Sequence, residues 1–198
     1  MGLDSVELVM TIEDKFGIEI PNNECEQIHK VQEFADSVFE KIKISPNEKC
    51  LSQIIFYRIR KALEQFGNER QIITPNSIIS EFFNRINLDN DWKKFEKKIE
   101  LKLPKLVDFD KNLNKEVKFL GFKIFDRTEP IAENTIRKLT DWIISINHEE
   151  LIKIENISSK YEVERIICGI IEDRIGAVSY THLRAHETDS YLVCRLLL

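Results

Sequence analysis

The sequence predicts an all-α protein on three observations: apolar residues recur at three- and four-residue spacing, strand-type alternation is nearly absent, and cap and stop residues bracket the periodic stretches. Its 198 residues include 32% charged and 42% hydrophobic side chains with a net charge of -5. That balance describes a soluble, mildly acidic globular chain, long enough for one ordinary domain or two or three small ones. Nucleic acid is disfavoured as a partner, because Glu96 and Glu100 interleave with Lys93, Lys94, Lys97 and Lys98 along the chain. No run of 18 or more apolar residues and no signal pattern is present, so no membrane span is expected and the default compartment is cytoplasmic. Cys25, Cys50, Cys168 and Cys194 have no C-x-x-C spacing, which fits reduced thiols and not a disulfide framework or a zinc site.

The first helix is expected to start at Asp4 or Ser5, with an N-cap side chain ahead of the stripe Leu8, Val9, Ile12 and Phe16 and a stop at Gly17. Pro21 opens the next element, a short acidic helix over about 22 to 28. A longer helix follows with Val31, Phe34, Val38 and Ile42 on one face. Ser45-Pro46-Asn47 reads as the start of a linker, at 45–50.

Gly2-Leu3-Asp4-Ser5-Val6-Glu7-Leu8, Phe16-Gly17-Ile18-Glu19-Ile20-Pro21 and Val31-x-x-Phe34-Ala35-Asp36 together resemble an acyl carrier protein in order and spacing. The resemblance implies a helical bundle module over 1–44, with 4′-phosphopantetheine joined covalently to Ser5 and Asp4 as its flanking motif residue. It also implies a substrate and not an enzyme, with a phosphopantetheinyl transferase and acyltransferases, ketosynthases or related acyl-chain enzymes as partners. The physics of the position agrees: a phosphodiester in the first turn of a helix lies beside unsatisfied backbone N–H groups and the positive end of the helix dipole. Glu7, Glu13 and Asp14 form an acidic face flanking the attachment point, which the resemblance assigns to partner binding. Only Met1-Gly2-Leu3 precede the Asp-Ser pair, so the module reads as truncated, lacking its first helix. Val9 and Ile12 would then be exposed unless another part of the chain covers them.

Residues 51–147 read as a degenerate carrier-like repeat. Leu51, Ile55, Ile59, Ala62 and Phe66 mark a helix stopping at Gly67, and Ile73-Thr74-Pro75-Asn76-Ser77 resembles the loop after a carrier's first helix. Trp92, Phe95 and Ile99 lead to Leu101-Lys102-Leu103-Pro104, parallel to Ile18-Glu19-Ile20-Pro21. Ile136-x-x-Leu139-Thr140-Asp141-x-Ile143 lies over Val31-x-x-Phe34-Ala35-Asp36-x-Val38. Leu88-Asp89-Asn90-Asp91 stands where the serine should fall, so the repeat is expected to be unmodified. An insert at about 105–130 contains the strand-like Val117 to Phe125, a hairpin or an apolar flap.

Residues 148–177 hold a helix resembling the first helix of a further carrier module; the same helix could instead pack onto 1–44 and replace the missing one. The segment 178–198 resembles translated sequencing-adapter read-through. Its His182, His186 and Glu187 lack the further ligands a zinc site needs, so no metal is expected. Three functions stay open: a carrier of acyl thioesters in fatty acid, polyketide or related lipid biosynthesis, an aminoacyl or peptidyl carrier domain, and an unmodified helical interaction module.

Overall fold

The computed structural model describes residues 3–28, 31–45, 50–64, 72–83, 86–104, 116–119, 122–126 and 134–175, with backbone alone at 3–5, 116–119, 122–126 and 174–175. The fold class is all-α, as the periodicity predicts. A two-stranded antiparallel hairpin, β1 (Glu116–Phe119) with β2 (Phe122–Asp126), is the one sheet among the described residues. The chain divides into two compact units, residues 1–48 with 148–198 and residues 49–147.

In the first unit, α1 (Leu3–Phe16) buries Leu8, Val9, Ile12 and Phe16, the stripe its spacing marks. The helix begins at Leu3, ahead of the expected Asp4 or Ser5, so both lie within its first turn. It stops at Gly17, whose φ of 64° is the left-handed conformation that glycine adopts without a Cβ penalty. The Ile18 amide donates to the Glu13 carbonyl at 3.1 Å, closing the Schellman turn that satisfies an orphan helix carbonyl. Pro21 leads into α2 (Asn22–Cys25), which ends earlier than the expected limit near residue 28. Helix α3 (Val31–Lys41) buries Val31, Phe34, Ala35 and Val38.

Two α-helices after residue 147, α7 (His148–Leu151) and α8 (Lys160–Ile175), complete this unit, with a short 3-10 turn at Ile154–Asn156 between them. Helix α8 packs on α3 and α1, and Lys160 forms an ion pair with Asp36 of α3. Every residue of α8 from 162 to 171 is buried, which requires apolar or paired side chains on all sides. Val163, Ile166, Ile167, Ile170 and Ile171 supply the apolar part. The charged part is the buried pair Arg165 Nη2 to Glu164 Oε1 at 2.6 Å, with the guanidinium 5.3 Å from the Tyr161 ring centroid. Glu162 reaches back from the first turn to accept the Ser158 amide at 2.7 Å, just before the helix begins. The Ser45 amide donates to the Ile157 carbonyl at 2.8 Å, joining the segment after α3 to the approach of α8.

The second unit contains α4 (Leu51–Leu63), α5 (Leu88–Ile99), the hairpin and α6 (Ile136–Ile146), with α4 packed on both α6 and α5. Helix α4 buries Ile55, Ile59, Ala62 and Leu63; Phe66 and Gly67, its expected end, lie outside the described residues. Helix α5 buries Leu88, Trp92, Phe95 and Ile99, and Phe83 meets the rings of Trp92 and Phe95 edge-on at 5.3 Å. Thr135 caps α6 by accepting from the Lys138 amide at 3.4 Å. The Thr74 to Ser77 turn is held to that cap, with Ile136 donating to the Ser77 carbonyl at 2.9 Å and Arg137 to that of Pro75 at 2.8 Å.

The helix ends after α1 and α5 are built alike. The Glu13 carboxylate accepts the Ile20 amide at 2.6 Å just before Pro21, and the Glu96 carboxylate accepts the Leu103 amide at 3.1 Å just before Pro104. Gly17 and Glu100, at φ 64° and 54°, are the two described residues in the left-handed region. Matching these junctions sets Val9, Ile12 and Phe16 of α1 beside Trp92, Phe95 and Ile99 of α5, all buried. The same register sets Ser5 beside Leu88. In one unit α8 packs on α1 and α3; in the other α4 packs on α5 and α6.

Candidate functional site

The residues singled out from the sequence all lie on α1. Asp4 and Ser5 are helical and in the first turn, where backbone N–H groups lack intrahelical acceptors; their side chains lie outside the described residues. Ser5 stands three, four and seven residues before Leu8, Val9 and Ile12, which places it in the register of the buried stripe.

At about 100° per residue, the opposite arc of α1 holds Val6, Glu7, Met10 and Asp14. Glu7 and Asp14, seven apart, share a face and are exposed. Val6 and Met10 lie beside these acids and leave 41% and 55% of their surfaces accessible. Exposed apolar side chains bordered by charge are the composition of a protein-docking surface. The sequence reading passed over this pair, although both fall off the core spacing and that signal was available. Glu13 differs from the other two acids: it is half-buried and its carboxylate is engaged at the Ile20 amide. The structure therefore brings Glu7 and Asp14 together and turns Glu13 to the loop.

Beneath this face, Val9 at 9% and Ile12 at 0% exposure are covered, and α8 packs on α1. Asp14 also borders a cavity of about 400 Å³ with Thr11, Lys15, His148, Glu149, Ile170 and Asp173. Lys15 bridges its mouth to Glu149 at 3.2 Å. Among the described residues no group of three or more His, Cys, Asp or Glu side chains could hold a metal ion, and His182 and His186 lie outside them. No described helix is long and apolar enough to cross a membrane.

Behind α1, Lys41 donates to both Glu24 oxygens, at 2.6 and 2.8 Å, tying α3 to α2. Those hydrogen bonds, helped by Ser37, hold the Glu24 carboxyl below its ordinary value. Burial pushes the Cys25 thiol up, so it stays protonated and behaves as a packing residue.

Over 41 residues the chain is 48% identical to the acyl carrier protein of Thermosynechococcus vestitus, a stretch covering 21% of this chain and 51% of that protein. The chain thus spans about half the length of the curated relative it matches, and it contains a carrier-like region. No protein-family profile matches the chain. No solved structure matches it.

Proposed function

We propose that α1, α2, α3 and α8 form a carrier module that presents acyl groups as thioesters on a 4′-phosphopantetheine arm at Ser5, in fatty acid, polyketide or related lipid biosynthesis. The observation that carries the reading is the 48% identity to an acyl carrier protein over 41 residues. The packing of α8 on α1 and α3 supports it, because that helix supplies the cover which residues 3–45 need. The module works as a substrate passed between enzymes in the cytoplasm. A phosphopantetheinyl transferase supplies the chemistry that activates the serine, and acyltransferases or ketosynthases act on the loaded arm. Glu7 and Asp14, with Val6 and Met10 beside them, form the face those partners read: charge steers the encounter and the apolar pair adds the short-range contact.

A second reading, an unmodified helical interaction module, is favoured by one observation. Ser5 continues the spacing of the buried stripe, and Leu88, which occupies the matching place in α5, is buried at 8% exposure. In that case the first turn of α1 carries no arm.

Intact mass spectrometry after incubation with coenzyme A and a broad-specificity transferase separates the two. The carrier reading expects a phosphopantetheine adduct on the folded chain that disappears in Ser5→Ala. A folded wild-type chain of unchanged mass establishes the second reading, and an adduct that survives in Ser5→Ala moves the arm to another residue.

A further inference from the structure

Helix α5 turns Leu88, Trp92, Phe95 and Ile99 inward. At about 100° per residue, the arc opposite that stripe holds Lys93, Asn90, Lys97 and Lys94, with Lys98 at its edge, all of them exposed. The acids that interleave with these lysines in the sequence fall at the flanks in space. Glu96 is engaged at the Leu103 amide, Asp91 holds Lys94 at 3.0 Å from its own edge of the stripe, Asp89 lies one turn before Lys93 at the other edge, and Glu100, at the helix C-cap, is paired with Arg58 at 3.2 Å. The centre of the outward face is therefore positive, on a chain whose net charge is -5.

The register fixed by the Glu13 and Glu96 junctions sets this face against its counterpart on α1. Where α5 carries Lys93 and Lys97, α1 carries Met10 and Asp14; where α5 carries Asn90, α1 carries Glu7. One architecture thus presents an acidic, methionine-bearing helix in one unit and a basic helix in the other.

We propose that the lysine face of α5 docks the Glu7, Met10 and Asp14 face of α1 from a second copy of this chain. Charge complementarity selects this occupant. Lysine stems also supply apolar length against Val6 and Met10 while their ammonium groups reach the carboxylates. The exposed charges predict weak, fast and salt-sensitive pairing. This inference is independent of whether Ser5 carries an arm.

Sedimentation velocity of the full chain across a concentration series tests it. Self-association is expected at low ionic strength, weakening by about tenfold or more as screening shortens from about 10 Å at ~0.1 M to about 3 Å at ~1 M salt. Lys93→Glu/Lys97→Glu and Glu7→Lys/Asp14→Lys are each expected to reduce association, and an equimolar mixture of the two is expected to restore it. All four substituted positions are exposed, and thermal melts of the same samples verify that the variants are folded. A wild-type chain that stays monomeric at low salt, or folded variants that associate as wild type does, overturns the proposal. Retention of a short single-stranded oligonucleotide by the wild type, lost in Lys93→Glu/Lys97→Glu without any self-association, assigns the face to a polyanion and also overturns it.

Discussion

Gly17 and Glu100 close equivalent turns with different side chains, and the difference has a sign. A left-handed residue with a Cβ is strained, whereas glycine is not. A Cβ at Gly17 would meet nothing within 4 Å, so the cost of Gly17→Ala is conformational, about 1 kcal/mol. Glu100→Gly removes the same strain and is expected to stabilise by up to about 1 kcal/mol, offset slightly by loss of the 3.2 Å ion pair with Arg58. Urea melts of both variants check the pair of signs. Glu24 gives a prediction about acid. A carboxyl held below its ordinary value contributes stability above that value, near 4.5, and loses the contribution as pH falls through the lowered one. Glu24→Gln is therefore expected to flatten the acid limb of the stability curve below about pH 4.5 while costing no more than about 1 kcal/mol at neutral pH. An unchanged acid limb would show that Lys41 does not hold this carboxyl.

The helices themselves were legible, because burying Leu8, Ile12 and Phe16, or Trp92, Phe95 and Ile99, requires the spacing the sequence displays. Their ends were less so. The N-cap preference of Asp and Ser pointed to a start at Asp4 or Ser5, yet the helix already includes Leu3, since preference for a cap is a weaker constraint than continuation of a turn. Glu13 was read as a surface charge because nothing in a sequence tells which carboxylate bends to a loop amide. Its parallel in Glu96 shows that the acid seven residues before the amide preceding Pro21 or Pro104 was the available signal. Removing either acceptor leaves an amide without its partner, so Glu13→Ala and Glu96→Ala are each expected to cost about 1–3 kcal/mol in their own unit, read by thermal unfolding. The lysine face of α5 was missed for a related reason. Linear interleaving of Lys and Glu hides the angular separation that a helix imposes.

At the scale of the molecule, packing joins segments that are distant along the chain. Residues 3–45 have the spacing of a carrier bundle but leave Val9 and Ile12 in need of cover, and α8, beyond the whole of the second unit, packs on α1 and α3. The periodicity of α8 could not disclose this, because a helix buried from 162 to 171 on all sides has no distinctive polar face to orient it. The second unit shows the arrangement in chain order, with α4 preceding the helices it packs on. In the first unit the helix that packs on the others, α8, instead follows α1 and α3 in the chain. Hydrogen exchange on the full chain carrying Ile167→Asp tests this most directly, since Ile167 is fully buried in α8. Amides of α1 and α3 are expected to lose protection while those of α4, α5 and α6 keep theirs. Unchanged protection in α1 and α3, with α8 itself opened, would contradict a carrier-like unit assembled from these separated segments.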